Sequence, residues 1–353
     1  LTRFSNFIRI CFPIQSWLDH FQENLMRAIQ IAQFGGPDQL QPVQLPTPVP
    51  APGQALIHVQ AFGLNRAETY MRQGLWGEVA RVPGIECVGI VAAAPGTGLR
   101  EGDTVAAIMG GMGRTINGSY AEYACVPAGN VVPLRSSLPW ADLAAIPESY
   151  ATAWACLHDN LELRPGQTLL VRGASSALGQ AATNIAAHAG AQVIATTRRP
   201  AALETLLKDN GARHVIEEQP SLAAAVRAIA PGGVDAVLDL VGNTTLLDSL
   251  ALAARPGRVC QAGFLGGLGP LAGFLPLQHL PPRVQLSFFG SFAFGSPGFE
   301  LDRVPLQQIV ERVEQGHYRA RPARVFSFED IVGAHEYLES GTGTGKAVVT
   351  VLP

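Results

Sequence analysis

The chain has 353 residues, 47% of them hydrophobic and 15% charged, with a formal net charge of −3 at pH 7. This is length for two domains and apolar material enough to core both. The balance of charge leaves no footprint for nucleic acid or an anionic membrane surface, and no apolar run reaches the length of a bilayer span.

Residues 1–25 mix Phe, Ile and Trp with Arg3, Arg9, Pro13 and Asp19 and lack a clear small-residue cleavage site, so they read as an upstream extension before a natural start at Met26. From there short β runs alternate with Gly/Pro turns: a strand over 28–33, a proline-rich extended segment over 41–53, and a strand over 55–61. A short helix follows between Gly63 and Gly74, then a strand entered through 82–91 and turns at Gly102-Asp103 and Asn117-Gly118. The pattern predicts a small, partly open barrel. Residues 141–161 are helical in pattern, with Pro147 as a break. The five cysteines are scattered without a CxxC pair and the histidines show no HxxxH pair, which predicts reduced core cysteines and neither a zinc lobe nor a disulfide frame.

From residue 167 the character changes. An apolar run over 168–172, a turn of small residues from Gly173 to Gly179, an alanine-rich helix over 180–189 stopped by Gly190, and a β-branched run over 192–197 make a strand–turn–helix–strand unit. Its turn stands where a dinucleotide pyrophosphate sits on a helix N-terminus. G-x-G-x-x-G is absent; Gly173-Ala174-Ser175-Ser176-Ala177-Leu178-Gly179 takes its place, small enough for close backbone approach and with two serine hydroxyls as added donors. The second strand ends in Thr196-Thr197-Arg198-Arg199, with no acid until Glu204. An acid there holds the ribose 2′-hydroxyl of NAD; arginine holds the 2′-phosphate of NADP. Glu217-Glu218, after the third strand, weighs against the arginine reading, because an acid near a phosphate repels it.

Helices are expected over 201–208, 221–229 (capped by Ser221), 244–254, 301–315 and from 328 through 338. Strands are expected over 214–216, 234–241, 258–262, 284–294, 324–328 and 346–351. The central alternation predicts a doubly wound parallel sheet, with the glycine-rich loop 263–276 at a strand's C-terminal end where such sheets bind ligand.

The segments GLNRAETYMRQG, VPGIECVGIV, NGSYAEY, ADLAAIPESYATAW, RGASSALG, VLDLVGN and GKAVVTV, in that order from Met26 to the C-terminus, resemble the quinone oxidoreductase (zeta-crystallin-like) branch of the medium-chain dehydrogenase/reductase superfamily. The resemblance implies an α/β chain made of a GroES-like partly open barrel (26–147 and 296–353) and a Rossmann doubly wound domain (148–295). It also implies NADPH as cofactor, a small quinone or carbonyl as acceptor, a cytoplasmic location, no nucleic-acid or membrane partner, and a homodimer joined through a strand near 286–294 with Phe288, Phe289, Phe292 and Phe294 on the edge.

Residue by residue, the resemblance places Asn65 and Tyr70 beside the nicotinamide, Tyr70 as hydrogen-bond donor to a substrate carbonyl, with Tyr120 and Tyr150 as weaker candidates. It places Thr152 against the cofactor and gives Ser175, Ser176, Ala177, Leu178 and Gly179 to the pyrophosphate turn. Thr197, Arg198 and Arg199 fall at the adenosine ribose, Val241, Gly242 and Asn243 beside a ribose, Phe264 and Leu265 near the nicotinamide, and Gly345-Lys346 at the cofactor. Zinc enzymes of the superfamily carry a cysteine near Asn65-Arg66 and Gly-His-Glu where this chain has Gly84-Ile85-Glu86, so no metal is expected. Catalytic zinc needs three protein ligands. The expected activity is reduction of quinones or α,β-unsaturated carbonyls. An alcohol or ketone oxidoreductase, to be favoured by a strongly shifted pKa at Tyr70 or another residue, and a non-enzymatic NADPH-binding structural or regulatory protein are the alternatives.

Overall fold

A computed structural model describes residues 25–351; of the extension expected over 1–25, residues 1–24 lie outside them, and Leu25 already begins the first strand. The chain opens on β1 (Leu25–Ile31) and β2 (Leu40–Pro46), an antiparallel pair. There follow β3 (Gln54–Gly63), helix α1 (Arg66–Arg72), β4 (Glu86–Ala93), β5 (Thr104–Ile108), β6 (Tyr123–Pro127), β7 (Val131–Pro133) and helices α2 (Trp140–Leu143) and α3 (Pro147–Ala155). Then come β8 (Thr168–Arg172), α4 (Ala177–His188), β9 (Gln192–Thr197), α5 (Pro200–Asp209), β10 (His214–Glu217), α6 (Ala223–Ile229), β11 (Val234–Asp239), α7 (Leu246–Leu252), β12 (Ala253–Gln261), α8 (Pro276–His279) and β13 (Val284–Phe288). The chain closes with α9 (Leu306–Glu314), β14 (Arg324–Ser327), α10 (Ile331–Glu339) and β15 (Ala347–Thr350).

Two sheets carry the architecture. One has the order β10-β9-β8-β11-β12-β13 with every pair parallel. Its order reverses between β8 and β11, the switch point at which such sheets open a crevice beyond their strand ends. The other is mostly antiparallel, β14-β15-β3-β4-β5-β7 with β6 on β3. The last strands of the chain return to pair with an early one, so the parallel sheet is an insertion in the barrel. Helix α3 joins the two: its alanines and Tyr150 pack in one apolar core that includes Ala106 and Ile108 of the barrel and Leu169 and Val171 of the parallel sheet. Pro147 is its first residue, where a missing N–H costs nothing.

Some expected elements shift. The strand after residue 284 ends at Phe288, because residues 291–293 turn as a 3₁₀ segment. The four phenylalanines therefore do not share one edge: Phe289 and Phe294 are buried against each other, whereas Phe288 and Phe292 are exposed. Ser221 does not cap its helix, which begins at Ala223 after Leu222. The helix expected over 301–315 starts only at Leu306, following a separate 3₁₀ turn at Leu301–Arg303.

Candidate active site

A cleft of about 490 Å³ opens between the barrel and the switch point. Its barrel wall is α1 with Asn65 before it, Trp76, Met109 and Arg114; its other wall is the turn 173–178, the ends of β9 and β11, and the loop after β12. Among residues expected at the site it gathers Asn65, Tyr70, Ser175, Ser176, Ala177, Leu178, Thr197, Arg198, Val241, Phe264 and Leu265.

The turn is built for close approach. Gly173 has φ +77°, and a Cβ on Gly179 would stand 2.6 Å from Ala174 Cα and from the Gly173 carbonyl oxygen, so neither position accepts a side chain. Ser176 caps α4: its Oγ accepts from the Gly179 N–H at 3.1 Å and donates to the Gly173 carbonyl at 2.9 Å. That hydroxyl closes the turn and is not free as a phosphate donor, a correction to the expectation that both serines add donors. Gly345 N–H donates to the Ser175 carbonyl at 2.9 Å, tying the barrel's last loop to the turn. A small-residue turn on the N-terminus of a twelve-residue helix, with an arginine at the end of the neighbouring strand, fits a phosphorylated dinucleotide.

At the end of β9, Arg198 faces the cleft while Arg199 turns away and donates from Nη2 to the Thr342 carbonyl at 2.8 Å. Glu218 also lines the cleft, but its carboxylate is held by the buried guanidinium of Arg172 and by Thr196 Oγ1. Arg172, at the end of β8, further pairs with Asp248 at 2.8 Å and donates to Ser249 Oγ and the Thr245 carbonyl, both at 3.2 Å. Buried Asp239 accepts from the N–H groups of Val241 and Gly242 at 3.0 and 2.9 Å and folds the turn after β11. Gly242 and Asn243 thus shape the rim from behind; Asn243 donates to the Gly269 carbonyl and accepts from Gln261 Nε2 at 2.9 Å.

Across the cleft, Tyr70 donates its hydroxyl hydrogen to the Phe264 carbonyl at 2.6 Å. Burial, opposed by the charge of Arg66, moves its pKa up, so the hydroxyl stays protonated at neutral pH. The expected donor to substrate is therefore already engaged, and an acceptor carbonyl competes with Phe264 for that hydrogen. Tyr120 and Tyr150 are buried away from the cleft, bonded to Glu68 at 3.0 Å and to Asn184 at 3.2 Å. Thr152 also lies behind the wall, its hydroxyl donating to Glu148 Oε1 at 3.1 Å.

Lys346 departs most from expectation. It does not reach the cleft; its Nζ stands 2.5 Å from Glu86 Oε1 and 2.6 Å from Asn65 Oδ1, with both Lys346 and Glu86 buried. Asn65 Nδ2 donates to the same Glu86 oxygen at 2.9 Å, and Glu148 N–H donates to the other at 2.8 Å. A Cβ on Gly63 would lie 2.2 Å from Lys346 Cε, so that glycine makes room for the chain. At the zinc enzymes' ligand positions this chain thus has the amide of Asn65, apolar Ile85 in place of histidine, and the carboxylate of Glu86, with the Lys346 ammonium bonded to the first and the last. That donor set does not fit zinc, and among the described residues no group of three or more His, Cys, Asp and Glu could hold a metal ion.

Beneath α1 runs a directional chain. Arg72 Nε–H donates to His335 Nδ1 at 3.4 Å, which leaves the ring's hydrogen on Nε2, facing Tyr120 oxygen at 2.9 Å; Tyr120 donates on to Glu68. Glu68 also accepts the N–H groups of Asn65 at 2.7 Å and Ile85 at 3.0 Å, fixing the start of α1. Burial raises Glu68 to about 7, against the Asn65 N–H bond and the charge of Lys346, with Glu86 adding to the rise. Burial, followed by the Arg72 charge, lowers His335 to about 3.

The two act in opposite senses. Glu68 keeps a proton in the folded state that the unfolded chain releases above about 4.5, so its term falls away as pH rises from about 4.5 to 7. His335 is neutral when folded and takes up a proton on unfolding below about 6.5, so its term falls away as pH drops from 6.5 towards 3. Between about 4.5 and 6.5 the slopes cancel. Glu68→Gln is expected to turn that flat stretch into a rise of stability with pH, read as urea midpoints at pH 5, 6 and 7; an unchanged profile would refute the assignment.

Residues 51–136 match the family model for the alcohol dehydrogenase GroES-like domain, and residues 210–349 that for zinc-binding dehydrogenases. The quinone oxidoreductase of Mus musculus is 32% identical over 341 residues, covering 93% of this chain and 98% of the relative. A solved quinone oxidoreductase from Pseudomonas syringae superposes with TM-score 0.83 at 25% identity, over 92% of this chain and 100% of that one. A mycobacterial protein solved with NADPH gives 0.82 at 29% identity, with the same coverage. Barrel, inserted parallel sheet and cleft define a dehydrogenase/reductase of the medium-chain class. Within it, the chain belongs to the quinone oxidoreductase branch.

Sequence reasoning missed Arg66, Arg114, Trp76, Glu148 and Ser149, all on the cleft wall. Arg66 stands beside Asn65 in GLNRAETYMRQG, and Arg114 in a glycine-rich loop, but only the fold brings them to one cleft.

Proposed function

We propose that this oxidoreductase binds NADPH and reduces quinones or α,β-unsaturated carbonyls without zinc, probed through a barrel and nucleotide domain divided at 147/148 and 295/296. The observation that carries the zinc-free reading is the Glu86–Lys346–Asn65 cluster, where a fixed ammonium neutralises the buried carboxylate. NADPH, when bound, supplies hydride, so that quinone + NADPH + H⁺ gives hydroquinone + NADP⁺, and an enone gains hydride at its β carbon and a proton at its α carbon.

The residues supply position and charge. The Ser176-capped turn and Arg198 hold the phosphate-bearing end, and Arg172 keeps Glu218 from opposing the 2′-phosphate. Tyr70 donates to the acceptor oxygen as negative charge develops there. Asn65 has a second Nδ2 hydrogen beyond the one given to Glu86, available on the cleft side. The upward shift at Tyr70 is the wrong direction for a base that removes an alcohol proton, which weighs against Tyr70 in that role. The exposed Leu286 and Phe288 on edge strand β13 support a homodimer. No described helix is long and apolar enough to cross a membrane, which accords with a cytoplasmic enzyme.

The test is NADPH oxidation, with chelator present, against an ortho-quinone and a 2-alkenal, with NADH as control. Expected are turnover indifferent to chelator and a preference for NADPH that Arg198→Gln lowers about ten- to a hundred-fold, the worth of one charge-assisted bond. Equal use of NADH sinks the role given to Arg198, loss of turnover with chelator sinks the zinc-free reading, and no turnover of either acceptor sinks the reductase reading.

A further inference from the structure

We propose that the acceptor end of the cleft is a carboxylate-binding site formed by Arg66, Arg114 and Ser149, so that the preferred acceptor is a conjugated carbonyl compound bearing a carboxylate. The inference rests on the reductase reading for the word acceptor, and on the residues below for the anion.

Arg66 is the first residue of α1, directly after Asn65, and lines the cleft. Among the described residues its guanidinium makes no hydrogen bond or ion pair, and its Nε is buried without a partner. Arg114 lines the same cleft from the loop before β6. Its guanidinium lies over the Phe292 ring at 5.3 Å and its Nε is likewise buried and unbonded. Ser149, on α3, is 2% exposed, lines the cleft, and has a hydroxyl with no partner. These three are the buried side-chain polar atoms left unbonded among the described residues, and all three belong to residues that line the same cleft.

Arg66 and Arg114 are half-buried, and the two fully buried arginines of the fold are not left so. Arg72 and Arg172, both fully buried, are saturated by carboxylates and carbonyls. Buried polar groups are nearly always satisfied, and an orphaned one asks for a partner. A guanidinium cannot lose its charge, so the partner must accept hydrogen bonds and is best an anion; the fork matches a planar carboxylate.

The cleft's own acids do not serve. Glu218 belongs to Arg172, and Glu148, raised by burial, takes Thr152 as its donor; neither bonds Arg66 or Arg114. The cofactor's phosphates are provided for on the opposite wall by the turn at 173–179 and Arg198. Arg66 is instead next in sequence to Asn65 and near Tyr70, where the acceptor is reduced.

The test compares 4-oxo-4-phenylbut-2-enoate with its methyl ester as acceptors for the full chain at saturating NADPH. In parallel, binding of the saturated acid 4-oxo-4-phenylbutanoate and its ester is followed by the fluorescence of Trp76, which also lines the cleft. Expected is a kcat/KM for the acid at least ten-fold above that for the ester. The gap is carried by KM, shrinks in 0.5 M KCl as screening predicts, and closes in R66Q/R114Q. The fluorescence arm is expected to show the same preference for the acid and its loss in the double variant.

Equal use of acid and ester, with equal binding, overturns the anion site and leaves the reductase reading standing. Turnover of neither, with the acid still bound by the parent and released by R66Q/R114Q, overturns the reductase reading and leaves the anion site. A double variant that keeps its preference for the acid but loses affinity for NADPH assigns the arginines to the cofactor and overturns the inference.

Discussion

Replacing Lys346 by methionine is expected to lower stability by about 3–5 kcal/mol, the cost of removing one member of a buried ion pair. Glu86 is fully buried, and its neighbours sharpen the effect: Glu68 and Glu148 are also buried acids whose pKa values it helps to raise. The remaining donors to Glu86, the Asn65 amide and the Glu148 N–H, carry no net charge. Urea midpoints measure the loss. The double variant Lys346→Met/Glu86→Gln separates charge from packing, since it leaves no uncompensated charge. It is expected to recover most of the loss, giving a coupling energy of a few kcal/mol in the cycle. A loss below about 1 kcal/mol in the single variant, the range of an exposed pair, would mean that Lys346 does not neutralise a buried charge. Lys346→Met is also expected to lower kcat, because Asn65 then loses the contact that orients its amide beside the acceptor.

The parallel sheet was legible because its elements repeat in a local pattern. Apolar β-branched runs alternate with helical stretches, several of them ending at a glycine turn as β8 does at Gly173, and the right-handed crossover rule does the rest. The barrel was legible as turns and short runs, although its closure is not local, since β15 pairs with β3 nearly three hundred residues earlier. The cleft gathered residues whose motif fixes their backbone, such as the turn at 173–179, Arg198 and Phe264. Side chains with two plausible directions were not legible. Arg198 and Arg199 are adjacent and alike, yet one faces the cleft and the other reaches Thr342. Lys346 followed a glycine in a motif that suggested the cofactor, but a buried carboxylate far away in sequence took its charge. Glu218 read as a threat to phosphate binding because the sequence does not show that buried Arg172 ends beside it.

That last relation gives the second large effect. Arg172→Met is expected to cost about 3–5 kcal/mol, because it leaves two carboxylates, Glu218 and Asp248, without their shared cation in a largely buried setting. The loss has a functional signature that simple destabilisation lacks. Glu218 and Arg198 line the same cleft, so a Glu218 carboxylate freed from Arg172 competes for Arg198 and repels a 2′-phosphate. NADPH affinity is therefore expected to fall about ten-fold or more while NADH affinity changes little, measured by titration of the folded variant below its unfolding temperature. Glu218→Gln in the Arg172→Met background removes the repelling charge and is expected to restore much of the NADPH affinity. Equal losses for both cofactors would instead mean that Arg172 only holds strand ends together, and that the acid after β10 has no voice in which cofactor binds.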